Sequence, residues 1–443
     1  MASANPTRVR WFLIFWLFVL SAVSYLDRVN ISIAGGSIVD AYHLTDVQLG
    51  KVFSALVVGY ALFQTVGGHL ADRFGPRRVL TAGVLWWGVF TALTAMVPSN
   101  IGGALLLFIS VRFLLGAGEA VIYPAANQFV ARWIPVRERG IANGWIFAGV
   151  GAGAGLTPPL ITYFMIRYGW RSSFWLCAII GLAAGTVWFF TSRDDPSEHP
   201  GVSVGELATI QEGLIITDDK RGLSSEPAKT LVPWSRVVRS REVWAVTISY
   251  FCYGYVAWIF FSWFYRYLAK VRGLDLKTSA FYSMLPFLAM LVCCLVGGTV
   301  NDRLTKWRGA RVGRCFLAAV SMAVAGLFIA FGSQVDSVRL ASVVLAGGAG
   351  ALYFSQSSFW SVTADIAGGS AGSVSGFMNM GGQIGGALTG SLTPWIAARY
   401  GWTASFLVAA GLCILGGLSW LAVDPLRTLT QPQTTETLDR VHS

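Results

Sequence analysis

Twelve stretches of about 20 apolar residues follow one another along the chain, and no other feature limits its fold as much. They lie at roughly 11–33, 50–71, 79–97, 102–130, 141–165, 171–191, 243–268, 279–300, 313–333, 338–364, 373–397 and 402–423. A helix needs about 20 residues to cross hydrocarbon. Only helices and closed barrels satisfy every backbone polar group there. These runs are too long and too uniformly apolar for barrel strands, so we expect an all-α membrane protein with twelve transmembrane helices. Composition agrees: 54% of the 443 residues are hydrophobic and 12% are charged, against roughly 25% charged in soluble domains.

The net charge of +11 could point to nucleic acid, but its distribution points to topology. With both termini cytoplasmic, 22 of the 33 Lys and Arg fall in the termini and the even-numbered connections, and nine fall on the other side. Arg28 and Arg112 are the remaining two. That bias is the positive-inside rule: it orients the chain and explains the basicity without nucleic acid. The expected location is the inner (plasma) membrane, multi-pass, with lipid as the surroundings. Residues 1–26 resemble a signal peptide, yet removing them would leave eleven spans with the basic loops on unmatched sides.

Residues 192–242 form the only long polar stretch. They divide the chain into a six-helix unit (1–191), a cytoplasmic linker (192–242) with one short amphipathic helix near 203–216, a second six-helix unit (243–424) and a cytoplasmic tail (425–443). The units repeat. Arg167-Tyr168-Gly169-Trp170 recurs as Arg399-Tyr400-Gly401-Trp402, an offset of 232, and Gly68 to Arg73 is echoed by Gly298 to Arg303 at 230. Two such bundles related by an axis along the membrane normal are a transporter architecture, with its site near midplane between them. The glycine run Gly149, Gly151, Gly153, Gly155 in the fifth span permits close packing or sliding of helices, and Pro158 and Pro159 offer a hinge.

Asp27 and Arg28 interrupt the first span, and Arg112 and Glu119 the fourth. Each costs about 2.5–3.5 kcal/mol at a bilayer centre even on lenient scales. Two acids and two arginines retained there are expected to pair, face a wet cavity and serve a proton-coupled anion site. Arg28 presents a planar fork suited to a carboxylate; otherwise it neutralises Asp27. Asp27 is a proton site or a fixed counter-ion. Arg112 and Glu119, seven residues apart, share a helix face but stand about 10 Å apart along the axis. Each therefore needs partners elsewhere, with the first helix the obvious source. Glu119 is a second proton site or half of a static pair, and Arg112 positions, gates or touches substrate. The second half supplies rings and neutral polar groups: Tyr250, Tyr253, Tyr255, Gln356, Trp360, Asn379 and Gln383. Tyr25 and Tyr60 complete the substrate-binding candidates.

The loop Gly68-His69-Leu70-Ala71-Asp72-Arg73-Phe74-Gly75-Pro76-Arg77-Arg78 resembles the signature loop of the major facilitator superfamily. Three further stretches resemble its anion:cation symporter branch: Tyr25 to Asn30, Arg112-x-x-x-Gly116-x-x-Glu119-x-x-x-Tyr123-Pro124, and Ser375 to Asn379 with Gly381. That branch includes permeases for sugar acids, tartrate and aromatic acids, and carriers of glutamate and sialic acid. The resemblance implies the major facilitator fold, symport of a small organic anion such as a sugar acid or dicarboxylate, and a ligand near Asn379. It also implies a gate in which Asp72 meets the start of the eleventh helix, with Arg73 and Arg132 beside it. Sugar-acid members often carry an amide on the fifth helix, whereas Val150 to Ala152 has none.

Protons are the only coupling species expected, with no cofactor and no metal. The six cysteines lack C-x-x-C spacing and read as packing residues. No catalytic grouping appears, so an enzyme is not expected. An organophosphate:phosphate exchanger would place a basic residue from each half at the site, whereas Arg266 lies near the outer end of the seventh span. A channel or transporter-like receptor is the reading outside transport. A monomer is the expected state.

Overall fold

The computed structural model describes residues 6–44, 46–99, 103–214, 216–218, 223–225, 231–264, 267–274 and 276–429. Arg266, most of the expected tail (430–443) and the side chains of Pro158 and Pro159 lie outside the described residues.

The helices of the first half are α1 (Val9–Tyr42), α2 (Asp46–Phe74), α3 (Pro76–Met96), α4 (Ala104–Glu119), α5 (Ile122–Trp133), α6 (Arg139–Tyr168) and α7 (Trp170–Thr191). The linker carries α8 (Val204–Leu214) and α9 (Trp234–Arg239), plus a small hairpin of β1 (Ile216–Asp218) and β2 (Leu223–Ser225). The second half has α10 (Arg241–Ser262), α11 (Leu276–Arg308), α12 (Leu317–Gln334), α13 (Val338–Phe354), α14 (Gln356–Ile366) and α15 (Ala371–Ser419). Among the described residues, eleven stretches are long and apolar enough to cross a membrane. The last, Gly368–Ala422, makes two crossings, because α15 is broken at Gly401, whose φ is 85°. Gly169, its repeat partner, has φ 79° between α6 and α7. Both sharp turns need the left-handed backbone that glycine adopts freely. The count is therefore twelve.

Two spans read as continuous are broken. The fourth stops at Glu119 and resumes at Ile122 as α5. Pro124 explains this: it has no N–H for the Ala120 carbonyl, and its ring crowds the preceding turn. The tenth breaks between α13 and α14 at Ser355, whose hydroxyl donates to the Leu352 carbonyl at 2.6 Å. Both breaks lie beside the central cavity described below.

Glycines set the close helix contacts. A Cβ on Gly149 or Gly153 would stand 2.4 or 2.3 Å from the Phe18 or Ala22 carbonyl oxygen, so α6 rests on the backbone of α1. Between the halves, Gly376 of α15 meets the backbone of α2 at Gln64, and Gly144 of α6 meets that of α11 at Cys294.

The linker helix, expected near 203–216, docks on the start of the chain. Glu206, fully buried, accepts from Thr7 Oγ1 at 2.6 Å, Val9 N at 3.0 Å and Arg10 N at 3.1 Å, and pairs with Arg10 Nη1 at 3.2 Å. A carboxylate placed on free N–H groups at a helix start is favoured by both hydrogen bonding and the helix dipole. Glu206→Ala leaves those donors buried and unpaired, at about 1–3 kcal/mol. The expected result is faster limited proteolysis between residues 192 and 242 in detergent; unchanged cleavage would show that the docking is held elsewhere.

Candidate functional site

The four intramembrane charges come together as two pairs. Arg28 Nε donates to Glu119 Oε1 at 2.9 Å, and Ser24 Oγ, one turn earlier on α1, donates to the same oxygen at 2.5 Å. Arg112 Nη1 stands 4.0 Å from Asp27 Oδ2. So the pairs cross between helices: each α4 group takes its partner from α1, and the adjacent Asp27 and Arg28 serve different partners. Asp27 and Glu119 are fully buried, Arg112 is 1% exposed, and the Arg28 side chain is 11% exposed. Glu119 Oε2, both Asp27 oxygens and Arg28 Nη2 have no hydrogen-bond partner among the described residues. The Arg28 guanidinium also lies 4.1 Å from the Tyr60 ring centroid and 5.1 Å from that of Tyr25. Cation–π attraction of that kind strengthens where water is excluded.

A cavity of about 980 Å³ lies between the halves. Arg28, Arg112, Tyr25, Tyr60, Trp360, Asn379 and Gln383 all line it. Asp27 and Glu119 do not; they sit behind the arginines. The second half supplies Tyr250, Tyr253 and Gln356 to the lining, while Tyr255 turns away to Thr393, 3.0 Å from its hydroxyl. Three lining or supporting groups had escaped the sequence reading. Gln64 Oε1 accepts from Asn379 Nδ2 at 2.9 Å, tying α2 to α15 below the cavity. Tyr353 and Phe147 form part of the wall. Gln64 could have been found, since it lies one turn beyond Tyr60 on the same face of α2.

One end of the interface is closed by two matching contacts, both on the face that carries the basic loops. Asp72 accepts from Gly372 N at 2.8 Å and from Ser373 N and Oγ at 2.7 and 2.5 Å, at the start of α15. Asp302, its repeat partner, accepts from Gly140 N at 2.9 Å and Ile141 N at 2.6 Å, at the start of α6. Gly68 and Gly298 let the backbones meet; a Cβ there would stand 2.0 and 2.3 Å from the Gly372 and Gly140 oxygens. Arg132 reaches the Asp72 carbonyl at 3.5 Å, not its carboxylate. Arg73 is exposed, its guanidinium 5.4 Å from the Phe74 ring, and makes no gate contact among the described residues. It sits at the last turn of α2, where the helix turns it outward from Asp72.

The second contact carries far more charge than its twin. Arg314, fully buried, pairs with Asp302 at 3.0 Å and Asp365 at 3.2 Å, and bonds Asn301. Arg139, from the first half, pairs with Asp365 at 2.6 Å. The cavity extends from midspan away from this closed end, past Phe53 near the start of α2 and Ser262 at the end of α10.

Twelve membrane-crossing helices in two repeated halves, with a cavity between them and one end latched, define a polytopic transporter fold. Residues 17–390 match the family model of the Major Facilitator Superfamily, and the chain belongs to that superfamily. It is 34% identical over 412 residues to the probable sulfoacetate transporter SauU of Cupriavidus necator, covering 93% of each chain. It is 33% identical over 313 residues to the probable galactarate/D-glucarate transporter GudP of Bacillus subtilis, covering 69% of this chain and 68% of that one. It is 29% identical over 413 residues to the sodium-dependent phosphate transport protein 1 of Arabidopsis thaliana, covering 93% and 78%. Among solved structures, FucP in the outward conformation superposes with a TM-score of 0.70 at 17% identity, covering 94% of this chain and 98% of that one. The relatives are named as anion or sugar-acid transporters, and neither they nor the fold are those of an enzyme.

Proposed function

We propose that the protein carries a small organic anion across the membrane together with protons, by alternating access of the cavity. One observation supports this above the others: Arg28 belongs both to the cavity wall and to the buried ion pair with Glu119. Asp27, Arg28, Arg112 and Glu119 sum to zero charge. An incoming carboxylate that engages Arg28 removes the cation compensating Glu119. A buried carboxylate without its cation is costly, and a proton is the simplest replacement. Anion and proton then travel as a neutral addition to the site. Asp27, held by Arg112 at longer range, offers a second proton position.

The basic-loop face is cytoplasmic on this reading, so the latched state opens the cavity outward for loading. The named sulfoacetate and galactarate/glucarate carriers support an organic anion. The phosphate transport protein supports an alternative, a phosphate cargo; an organophosphate:phosphate exchanger is one form of it. The cavity's two cations both come from the first half, which favours the organic anion over an exchanger clamped from both sides.

Uptake by reconstituted vesicles tests the proposal. An acid-outside gradient should drive accumulation of organic anion, and a protonophore should collapse it. Glu119→Gln should reduce gradient-driven accumulation by about tenfold or more while anion exchange continues, because the neutral amide mimics the protonated acid. Accumulation in that variant at the wild-type level would remove Glu119 from coupling. Uptake that is indifferent to the gradient, with phosphate:phosphate counterflow, would favour the exchanger.

A further inference from the structure

We propose that the preferred cargo is a monocarboxylate borne on an aromatic ring, not an aliphatic dianion or a polyhydroxy acid; this rests on the reading of the cavity as an organic-anion site.

Charge is the first argument. Arg28 and Arg112 are the only ionisable Lys, Arg, His, Asp or Glu side chains in the described lining. Arg112 is 1% exposed and serves Asp27. One cation is therefore available, and it suits one anionic head.

The walls are the second. Tyr250 and Tyr253 lie parallel, centroids 5.1 Å apart at 3°. Tyr123 and Phe147 stack at 5.0 Å and 16°, and Trp360, 4.9 Å from Phe147 and 6.3 Å from Tyr250, joins the two pairs into one aromatic wall. Beside this wall α6 adds, beyond Phe147, Val150, Gly151, Ala154 and Gly155, which have no polar side-chain atom. Flat apolar bodies stack well on such rings, whereas a second carboxylate would meet their electron-rich faces.

Hydrogen-bond supply is the third. The amide of Gln356 and the indole of Trp360 already donate to Tyr250 Oη, at 3.1 and 3.4 Å, and Asn379 donates to Gln64. In the lining, the amide oxygens Gln356 Oε1 and Gln383 Oε1 and the Tyr253 hydroxyl have no partner among the described residues. The two carbonyl oxygens repel a second anionic group.

The test is calorimetry on the purified full-length protein with six anions: benzoate, phenylacetate, acetate, succinate, glucarate and sulfoacetate. The two aromatic monocarboxylates should bind at least about tenfold more tightly than each of the other four. Phe147→Ala should weaken phenylacetate about tenfold and acetate by much less. The wild-type ranking decides the matter even if that variant folds poorly. Succinate, glucarate or sulfoacetate binding as tightly as phenylacetate, with Arg28→Ala still abolishing it, would overturn the aromatic assignment and leave the organic-anion reading intact. No binding by any of the six would overturn both.

Discussion

Arg28→Ala is expected to abolish ligand-induced stabilisation of the purified protein and to lower uptake by about 100-fold or more. Truncating one partner of a buried, hydrogen-bonded charge pair costs about 2–5 kcal/mol, and each 1.4 kcal/mol is tenfold. Two losses coincide here. The ligand loses the cation turned to the cavity, and Glu119 keeps only the Ser24 hydroxyl at 2.5 Å. Arg28→Lys should recover little, because an ammonium cannot hold Glu119 and a ligand carboxylate with one planar fork, nor lie flat on Tyr60. The double variant Arg28→Ala/Glu119→Gln separates the two losses: it should recover thermal stability without recovering binding. Wild-type affinity in Arg28→Ala would assign the anion to another group, with Arg112 the remaining cation of the wall.

Arg314→Ala is expected to weaken the latched state more than any other single change outside the cavity. The guanidinium, fully buried, neutralises Asp302 and Asp365 and also donates to the Val136 carbonyl at 2.5 Å. Its loss leaves Asp302 with only two backbone N–H groups and Asp365 with Arg139 alone. Breaking a buried pair of this kind costs about 3–5 kcal/mol, enough to lower the melting temperature by on the order of 5–10 °C. The second readout is access from the basic-loop face. Ser361, fully buried beside Asn143 across the interface, when changed to Cys should be labelled faster in the Arg314→Ala background. Neutralising both acids, with Asp302→Asn and Asp365→Asn, should restore part of the stability. An unchanged melting temperature together with unchanged labelling would show that the network does not hold the halves together.

The spans were legible because hydrocarbon admits so few structures: a 20-residue apolar run has one reading, and the glycine turns at Gly169 and Gly401 repeat in sequence as they do in space. The breaks at Ala120 and Ser355 were not, because a kink inside an apolar run leaves hydropathy unchanged; Pro124 was the one local sign. At the site, the residue types were readable and the pairing was not. Adjacent Asp27 and Arg28 look like partners, and only the packing of α1 against α4 sends them to Arg112 and Glu119. The unequal latches were also hidden. Arg139, Asp302, Arg314 and Asp365 come from four separate elements, and no spacing joins them.

The paired latches have a further consequence. At an offset of 232 from Asp27, Arg28, Arg112 and Glu119 stand Ile259, Phe260, Val344 and Ala351, none of them ionisable. The latching acids Asp72 and Asp302 thus follow the repeat of the chain, while the four midspan charges stand in one copy alone. On the proposed reading, a protein divided in that way can change its cargo through the second half's side of the cavity, leaving the latches and the proposed proton sites untouched.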